Sequence, residues 1–257
     1  MPREVTLAPQ RRDELTVYPA QNLLALGVDA FVTDRFNGVS VAPYDSLNLG
    51  DHVGDDEDHV RANRALVAHA VGVDADHFIT VRQVHGATVL EGAMITPTSE
   101  ADALVTGFSD LALAVLVADC VPIALVDANS GRVGVVHAGW RGLVAGVIAR
   151  TLERFDPGVT HVFIGPSISK ERYQVGTEVA EHFDQVEDAL IADSGDRSRL
   201  DLRVVATHQL VTAGVADEHI VLSREVTDGG EVFFSDRAQR PCGRFALVAK
   251  RRSMRTP

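Results

Sequence analysis

Residues 117–142, VADCVPIALVDANSGRVGVVHAGWRG, contain two apolar runs separated by a polar turn. The runs at 122–126 and 133–136 are almost continuously apolar, which is typical of strands covered on both faces. Between them, Asn129-Ser130-Gly131 is a turn signal. This stretch therefore predicts two adjacent buried strands at the centre of a sheet.

Further apolar runs extend this pattern in both directions along the chain. Predicted strands are 30–33, 78–84, 87–90, 111–118, 160–164, 219–222 and 245–249, and predicted helices are 60–71, 143–155, 177–183 and 200–213. Strands that alternate with helices favour an α/β (α+β) fold, a single layered domain with a mixed β-sheet flanked by helices. We predict a loose N-terminal arm over 1–24, one domain over 25–250 and a C-terminal tail over 251–257.

The composition of the chain narrows the possible functions. The 257 residues include 24 basic and 36 acidic side chains, for a net charge of −12, which argues against a general nucleic-acid binder. Two cysteines are too few for a disulfide scaffold of this size and favour a reducing compartment. The longest apolar run is interrupted by Asp119 and Pro122, and no signal peptide is visible. We expect a cytoplasmic protein that acts on a small molecule, without nucleic acid or membrane.

Three side chains at the predicted strand ends are candidate metal ligands. Cys120 and His137 lie at the ends of the two central strands, and His85 follows the predicted strand at 78–84. Thiolate and imidazole are ligands that zinc and copper prefer, and a catalytic zinc needs three protein ligands with one open position. The spacings of 35 and 17 residues match no short metal motif, so the same residues also fit three unconnected buried side chains.

The same residues also permit a cysteine hydrolase. Cys120 would then be the nucleophile, with His137 or His85 as the base that generates its thiolate. In the metal alternative Cys120 is a ligand and the attacking group is a water that the metal activates. The pattern alone leaves both alternatives open.

Two arginines and one amide are candidate substrate ligands. Arg35 and Arg141 lie near glycines in predicted turns, where a guanidinium can reach a phosphate through two hydrogen bonds. Asn48, in the polar loop at 43–58, is grouped with them as a candidate for substrate or phosphate binding. The glycine fingerprint of dinucleotide-binding folds is absent, so we infer no nucleotide cofactor.

Several short motifs occur in a recognisable order. They are Gln83-Val84-His85-Gly86, Ala101-Asp102-Ala103-Leu104-Val105-Thr106, Ala118-Asp119-Cys120-Val121-Pro122 and His137-Ala138-Gly139-Trp140-Arg141-Gly142. With them the chain resembles, over roughly residues 25–250, the YfiH/YlmD family, also described as laccase-domain or polyphenol oxidase proteins and as peptidoglycan editing factors. The resemblance implies a YfiH-like fold akin to cysteine hydrolases.

The resemblance also implies a zinc site and an activity. The family's zinc ligands match His85, Cys120 and His137, and copper could occupy the same site. Implied activities are phosphorolysis of adenosine, inosine, guanosine and methylthioadenosine, together with adenosine deamination. Asp119 is a candidate acid for proton transfer in deamination, whereas Arg141 and Arg35 are candidates for holding phosphate. We expect a monomer or a weak homodimer.

Two further activities implied by the resemblance remain open. An amide hydrolase that edits peptidoglycan precursors would use the same metal in a wider cleft. Copper-dependent polyphenol oxidation is disfavoured, because none of the 10 histidines forms the His-x-His pair that multicopper oxidases need. The chain departs from the family pattern at 223–227, Asp236 and Cys242, which affects substrate contacts from the C-terminal loop.

Overall fold

The computed structural model describes residues 2–92, 95–96 and 98–253 of the chain. The strands are β1 Arg3–Val5, β2 Gln10–Arg12, β3 Leu15–Pro19, β4 Val28–Thr33, β5 Phe78–Ile79, β6 Val89–Glu91, β7 Ala103–Thr106, β8 Ala112–Val117, β9 Val121–Asp127, β10 Val133–Ala138, β11 Thr160–Ile164, β12 Gln174–Gly176, β13 Leu190–Ala192, β14 Arg197–Leu200, β15 Ile220–Ser223 and β16 Phe245–Arg251. The helices are α1 Gln21–Leu24, α2 Glu57–Val71, α3 Trp140–Val144, α4 Val147–Leu152, α5 Thr177–Ala180 and α6 Leu202–Thr212.

The β9–β10 hairpin is the centre of the larger sheet, as the apolar runs predict. Every residue of both strands is buried. Asp127 closes the turn between them, where its side chain accepts hydrogen bonds from the backbone N–H groups of Asn129 and Ser130. The sheet order is β1-β15-β11-β9-β10-β7-β6, with antiparallel pairing around β9 and β10 and parallel pairing at both edges.

A second sheet covers the inner face of the first. Its order is β2-β3-β4-β16-β8-β5, and Val115 of β8 and Leu247 of β16 share one apolar cluster with Val135 of β10. The outer face of the larger sheet is covered by α3, α4 and α6, and that of the second sheet by α2. The predicted α/β class with mixed sheets flanked by helices is confirmed. The strands form two large sheets because β8, β9, β10 and β16 all need cover on both faces.

The predicted loose arm over 1–24 is wrong. Residues 3–5 form β1, which pairs in parallel with β15, and β3 pairs antiparallel with β4. Leu15 and Val17 are buried while Thr16 and Tyr18 are partly exposed, the period-two alternation of a strand with one covered face. The predicted tail over 251–257 begins inside β16, and 254–257 lie outside the described residues.

The predicted helix over 143–155 is divided in the structure. Gly146 separates α3 from α4 and adopts a left-handed conformation with φ of +79°. By contrast, the acidic cluster before 60–71 begins α2 as expected, because Asp56 accepts the N–H groups of Asp58 and His59. Among the described residues, none of the helices combines the length and apolar character that crossing a membrane requires.

Candidate metal centre and active-site pocket

Strand ends bring three distant residues together at one edge of the two sheets. Cys120 occupies the short connection between β8 and β9, and His137 lies on β10 opposite Pro122. His85 lies in the connection between β5 and β6. The pairing of β9 with β10 therefore fixes Cys120 beside His137, and the loop after β5 adds the third side chain.

The three side chains form a compact donor cluster. One donor atom from each of His85, Cys120 and His137 can be chosen so that all three lie within 4.8 Å of one another. The Cys120 Sγ is 3.9 Å from the His85 Nε2, and the two imidazole rings are 4.7 Å apart between centroids. His137 is 3% exposed, Cys120 is partly exposed and His85 is exposed, so the cluster opens to solvent on the His85 side.

Asp102 organises both histidines, and sequence reasoning did not identify it as a site residue. Its Oδ1 lies 2.8 Å from the His137 Nδ1, and the carboxylate accepts the backbone N–H groups of His85 and Gly86 at 2.9 and 2.6 Å. These contacts hold His85 at a φ of +57°, a region that non-glycine residues seldom adopt. The sequence feature that could have identified Asp102 is the stretch around it, in which an acidic residue lies among small apolar residues.

The charges of the cluster pair a Cys120 thiolate with a protonated His137, and a metal that binds here would displace the His137 proton. Burial opposes ionisation of the Cys120 thiol, but His137 and His85 outweigh it and lower its pKa to about 6. Burial also disfavours the His137 cation, but Cys120 and Asp102 outweigh it and raise the pKa of His137 to about 9. Because Asp102 occupies the Nδ1 of His137, its Nε2 is left to face the thiolate. A thiolate and two imidazole nitrogens fit a metal with one open coordination position.

The cluster lies in a pocket of about 400 Å³ that is rich in arginine. Its other lining residues are His52, Gln83, Leu116, Val117, Ala118, Asp119, Trp140, Arg141, Tyr173, Asp236, Arg237, Arg240 and Arg244. Four guanidinium groups face two carboxylates here, although the chain as a whole has a net charge of −12. The pocket is therefore a local cationic site in an acidic protein, suited to an anionic group.

Arg141 and Tyr173 supply hydrogen-bond donors near the cluster. The Arg141 guanidinium lies 4.2 Å from the centroid of the Trp140 ring, and within the described part of the chain it makes no hydrogen bond or ion pair. Burial and the neighbouring Cys120 raise the pKa of Tyr173, so its hydroxyl stays protonated at neutral pH. Both groups can therefore donate to a bound substrate.

The structure assigns Arg35 and Asn48 to the scaffold and not to this pocket. Arg35 donates to the backbone oxygens of Gly230 and Asp45, and its guanidinium lies 4.5 Å from the centroid of the Phe234 ring. Asn48 is fully buried, and its Oδ1 accepts the backbone N–H groups of Gly50 and Arg244. Neither residue lines the pocket and their polar atoms already have partners within the protein, so their contact with the substrate stays a prediction that the pocket does not support.

Asp119 lines the pocket, but its carboxylate positions the C-terminal loop. Its Oδ1 accepts the Thr227 hydroxyl at 2.6 Å and its Oδ2 accepts the backbone N–H of Arg237 at 2.7 Å. Arg237 in turn donates to the backbone oxygens of Arg172 and Gln174. Sequence reasoning missed Arg237, Arg240 and Arg244, since the loop that carries them is far from the cluster along the chain.

Gly139 allows the close approach of two ligands. A Cβ at this position would lie 2.9 Å from the Cys120 Sγ and 3.0 Å from the His85 Cδ2. We expect Gly139→Ala to weaken metal binding about tenfold or more, because both ligands must shift. Gly107→Ala is the matched control, since nothing lies within 4 Å of a Cβ there. Chelator competition measures the effect, and equal metal affinity in both variants would contradict it.

Comparison with known proteins places this chain in a family. The family model described as multi-copper polyphenol oxidoreductase laccase matches residues 29–252. A purine nucleoside phosphorylase of Streptomyces coelicolor is 40% identical over 228 residues, which cover 83% of this chain and 91% of that protein. YfiH of Escherichia coli, also named a purine nucleoside phosphorylase, is 37% identical over 227 residues, covering 86% and 92%.

A solved structure agrees with these sequence relationships. YlmD from Geobacillus stearothermophilus superposes with a TM-score of 0.88 at 30% identity, covering 96% of this chain and 100% of that one. The match of the family model and the high coverage of the relatives confirm the resemblance indicated by the motifs. The chain is therefore an enzyme of the YfiH/YlmD family of laccase-domain proteins.

Proposed function

We propose that this enzyme is a purine nucleoside phosphorylase that works at the cluster of His85, Cys120 and His137. The observation that carries the proposal is that one pocket holds both this donor cluster and the Arg141 guanidinium, which has no ion pair with any described residue. Relatives named purine nucleoside phosphorylases, with at least 83% coverage of this chain, support the choice of reaction.

Phosphorolysis joins an oxygen of inorganic phosphate to C1′ of the ribose while the bond from C1′ to the purine breaks. The products are the free purine, which takes up a proton, and ribose 1-phosphate. Arg141 would bind the attacking phosphate through two hydrogen bonds and fix its orientation. Tyr173 would remain a proton-bearing donor to the substrate, because burial raises its pKa.

The donor set supports zinc as the metal. Two imidazole nitrogens and one thiolate suit zinc in a three-ligand site, and copper would accept the same ligands. A metal there would supply Lewis-acid chemistry to a substrate oxygen or to water. The residues of the chain then have separate roles, in which Asp102 orients His137, and Arg141 and Tyr173 orient the substrate.

Adenosine deamination is the second activity we propose for the same pocket. It replaces the amino group at C6 with oxygen from water and releases ammonia. The exposed His85 supports it, because the cluster is open to water on that side. We assign no proton-transfer residue, since both carboxylate oxygens of Asp119 already accept hydrogen bonds.

The two free cysteines further support a reducing, cytoplasmic location, and we propose a monomer or weak homodimer.

The test incubates the metal-loaded enzyme with adenosine, with and without phosphate, and separates the products by chromatography. We expect adenine and ribose 1-phosphate only when phosphate is present, and inosine under both conditions. Peptidoglycan precursors and a phenolic substrate are assayed in parallel, because precursor editing and polyphenol oxidation are the alternatives. If adenosine remains unchanged in both conditions, the nucleoside assignment fails.

A further inference from the structure

A second chamber adjoins the active-site pocket on the side of the C-terminal loop. It is an open depression of about 400 Å³ that shares His52, Asp236, Arg240 and Arg244 with the pocket. Val53, Pro241 and Cys242 complete its lining. The donor cluster, Arg141 and Tyr173 line the first pocket and are absent from the lining of the second. The combined cavity therefore runs from the donor cluster to a separate chamber.

The chamber is cationic, and one carboxylate pairs with both of its guanidinium groups. Asp236 accepts from Arg240 on one oxygen and from Arg244 on the other. The Nη1 of Arg244 also donates to the backbone oxygens of Cys242 and Gly243 at 3.1 and 3.0 Å. One carboxylate thus orients two arginines and neutralises one of their two charges. A pre-oriented guanidinium loses less side-chain entropy when it binds an anion.

These arginines are not needed for the phosphate that attacks C1′. Arg141 lies next to Trp140 at the start of α3, two residues along the chain from Gly139, which approaches both Cys120 and His85. Arg240 and Arg244 lie where the pocket passes into the chamber. The cavity therefore presents cations at two places, whereas a neutral nucleoside and one phosphate need them at one.

We propose that the chamber binds an anionic substituent on the 5′ position of the nucleoside, so that nucleoside 5′-monophosphates are substrates or tight ligands of this enzyme. This inference rests on the proposed function, because it places the ribose between the donor cluster and the chamber. The 5′-phosphate would accept from the Nη1 of Arg240 and the Nε of Arg244, the guanidinium N–H groups that have no partner among the described residues.

The test compares AMP with adenosine by calorimetry and by initial rates of purine release, in buffer that contains saturating inorganic phosphate. We expect AMP to bind about tenfold or more tightly than adenosine, the size of one charge-assisted contact. Because the 5′-phosphate has its own chamber, saturating phosphate leaves this preference in place. If phosphate abolishes the preference, AMP uses the same anion site and the inference is overturned.

Replacing either of two similarly exposed arginines with alanine tests whether the chamber binds the 5′-phosphate. Arg240→Ala removes a side chain that is 75% exposed, and Arg61→Ala removes one that is 74% exposed and bonded to Asp58 on α2. We expect Arg240→Ala to reduce the preference for AMP about tenfold, while Arg61→Ala preserves it. An unchanged preference in Arg240→Ala overturns the inference. If the enzyme cleaves adenosine but shows no preference for AMP, the inference is overturned and the proposed function stands. If the enzyme binds AMP tightly but does not turn over adenosine, the proposed function is overturned instead.

Discussion

Replacing Cys120 with serine is expected to abolish metal binding and to lower kcat/KM for adenosine about a thousandfold. A serine hydroxyl stays protonated at neutral pH, whereas the pKa of the Cys120 thiol is lowered to about 6 and supplies a thiolate. A Lewis acid contributes several kcal/mol of transition-state stabilisation, and each ~1.4 kcal/mol is tenfold in rate. Elemental analysis of the purified protein and the adenosine assay measure the two effects.

The second cysteine provides the control for this variant. Cys242 is 2% exposed, lies beside Arg244 and has its pKa raised by burial, so Cys242→Ser should retain the full metal content. Removing the metal with a chelator should expose Cys120 to iodoacetamide while Cys242 stays unreactive. Full metal content in Cys120→Ser would refute the assignment of the ligands. Unfolding of that variant would instead indicate a structural metal.

The central strands and the candidate ligands could be predicted because their signals are local. Continuous apolar runs identified β9, β10 and β11, the last with its observed bounds of Thr160–Ile164. The ligands could be chosen because cysteine and histidine at strand ends are few in this chain. The strands of the N-terminal segment escaped prediction because they are only three to five residues long and form only by pairing with distant strands.

The rest of the site depends on contacts between segments that are far apart in sequence. Asp119 and Thr227 are separated by 108 residues, and Asp119 and Arg237 by 118. These bonds place the C-terminal loop against the pocket, and the arginines of that loop make it cationic. Composition indicated an acidic protein, and no local pattern distinguishes these arginines from exposed ones. Asn48 and Arg35 illustrate the opposite case. They are polar loop residues that look like substrate ligands in the sequence, but their side chains hydrogen-bond to backbone groups outside the pocket.

Asp102→Asn is expected to lower metal affinity about tenfold to a hundredfold, the usual range for a group that supports a metal ligand. The fully buried Asp102 carboxylate accepts from the His137 Nδ1 and from the N–H groups of His85 and Gly86. An amide has one accepting oxygen, so its NH₂ group must face at least one of these donors. The NH₂ group then faces either the Gly86 N–H or both the His137 Nδ1 and the His85 N–H, and in each case the loop that carries His85 loses an acceptor.

The control is a similarly buried aspartate at the turn end of the β9–β10 hairpin, away from the donor cluster. Asp127→Asn alters a carboxylate that accepts the N–H groups of Asn129 and Ser130 in the turn after β9. We expect both variants to lose stability, because each leaves backbone N–H groups without a good acceptor, and the loss should be larger for Asp102→Asn, whose surroundings are more buried. Only Asp102→Asn should also lose metal affinity, as measured by chelator competition below its melting temperature. If the two variants bind metal equally well, Asp102 serves the fold alone, and the orientation of His137 must come from packing around β10.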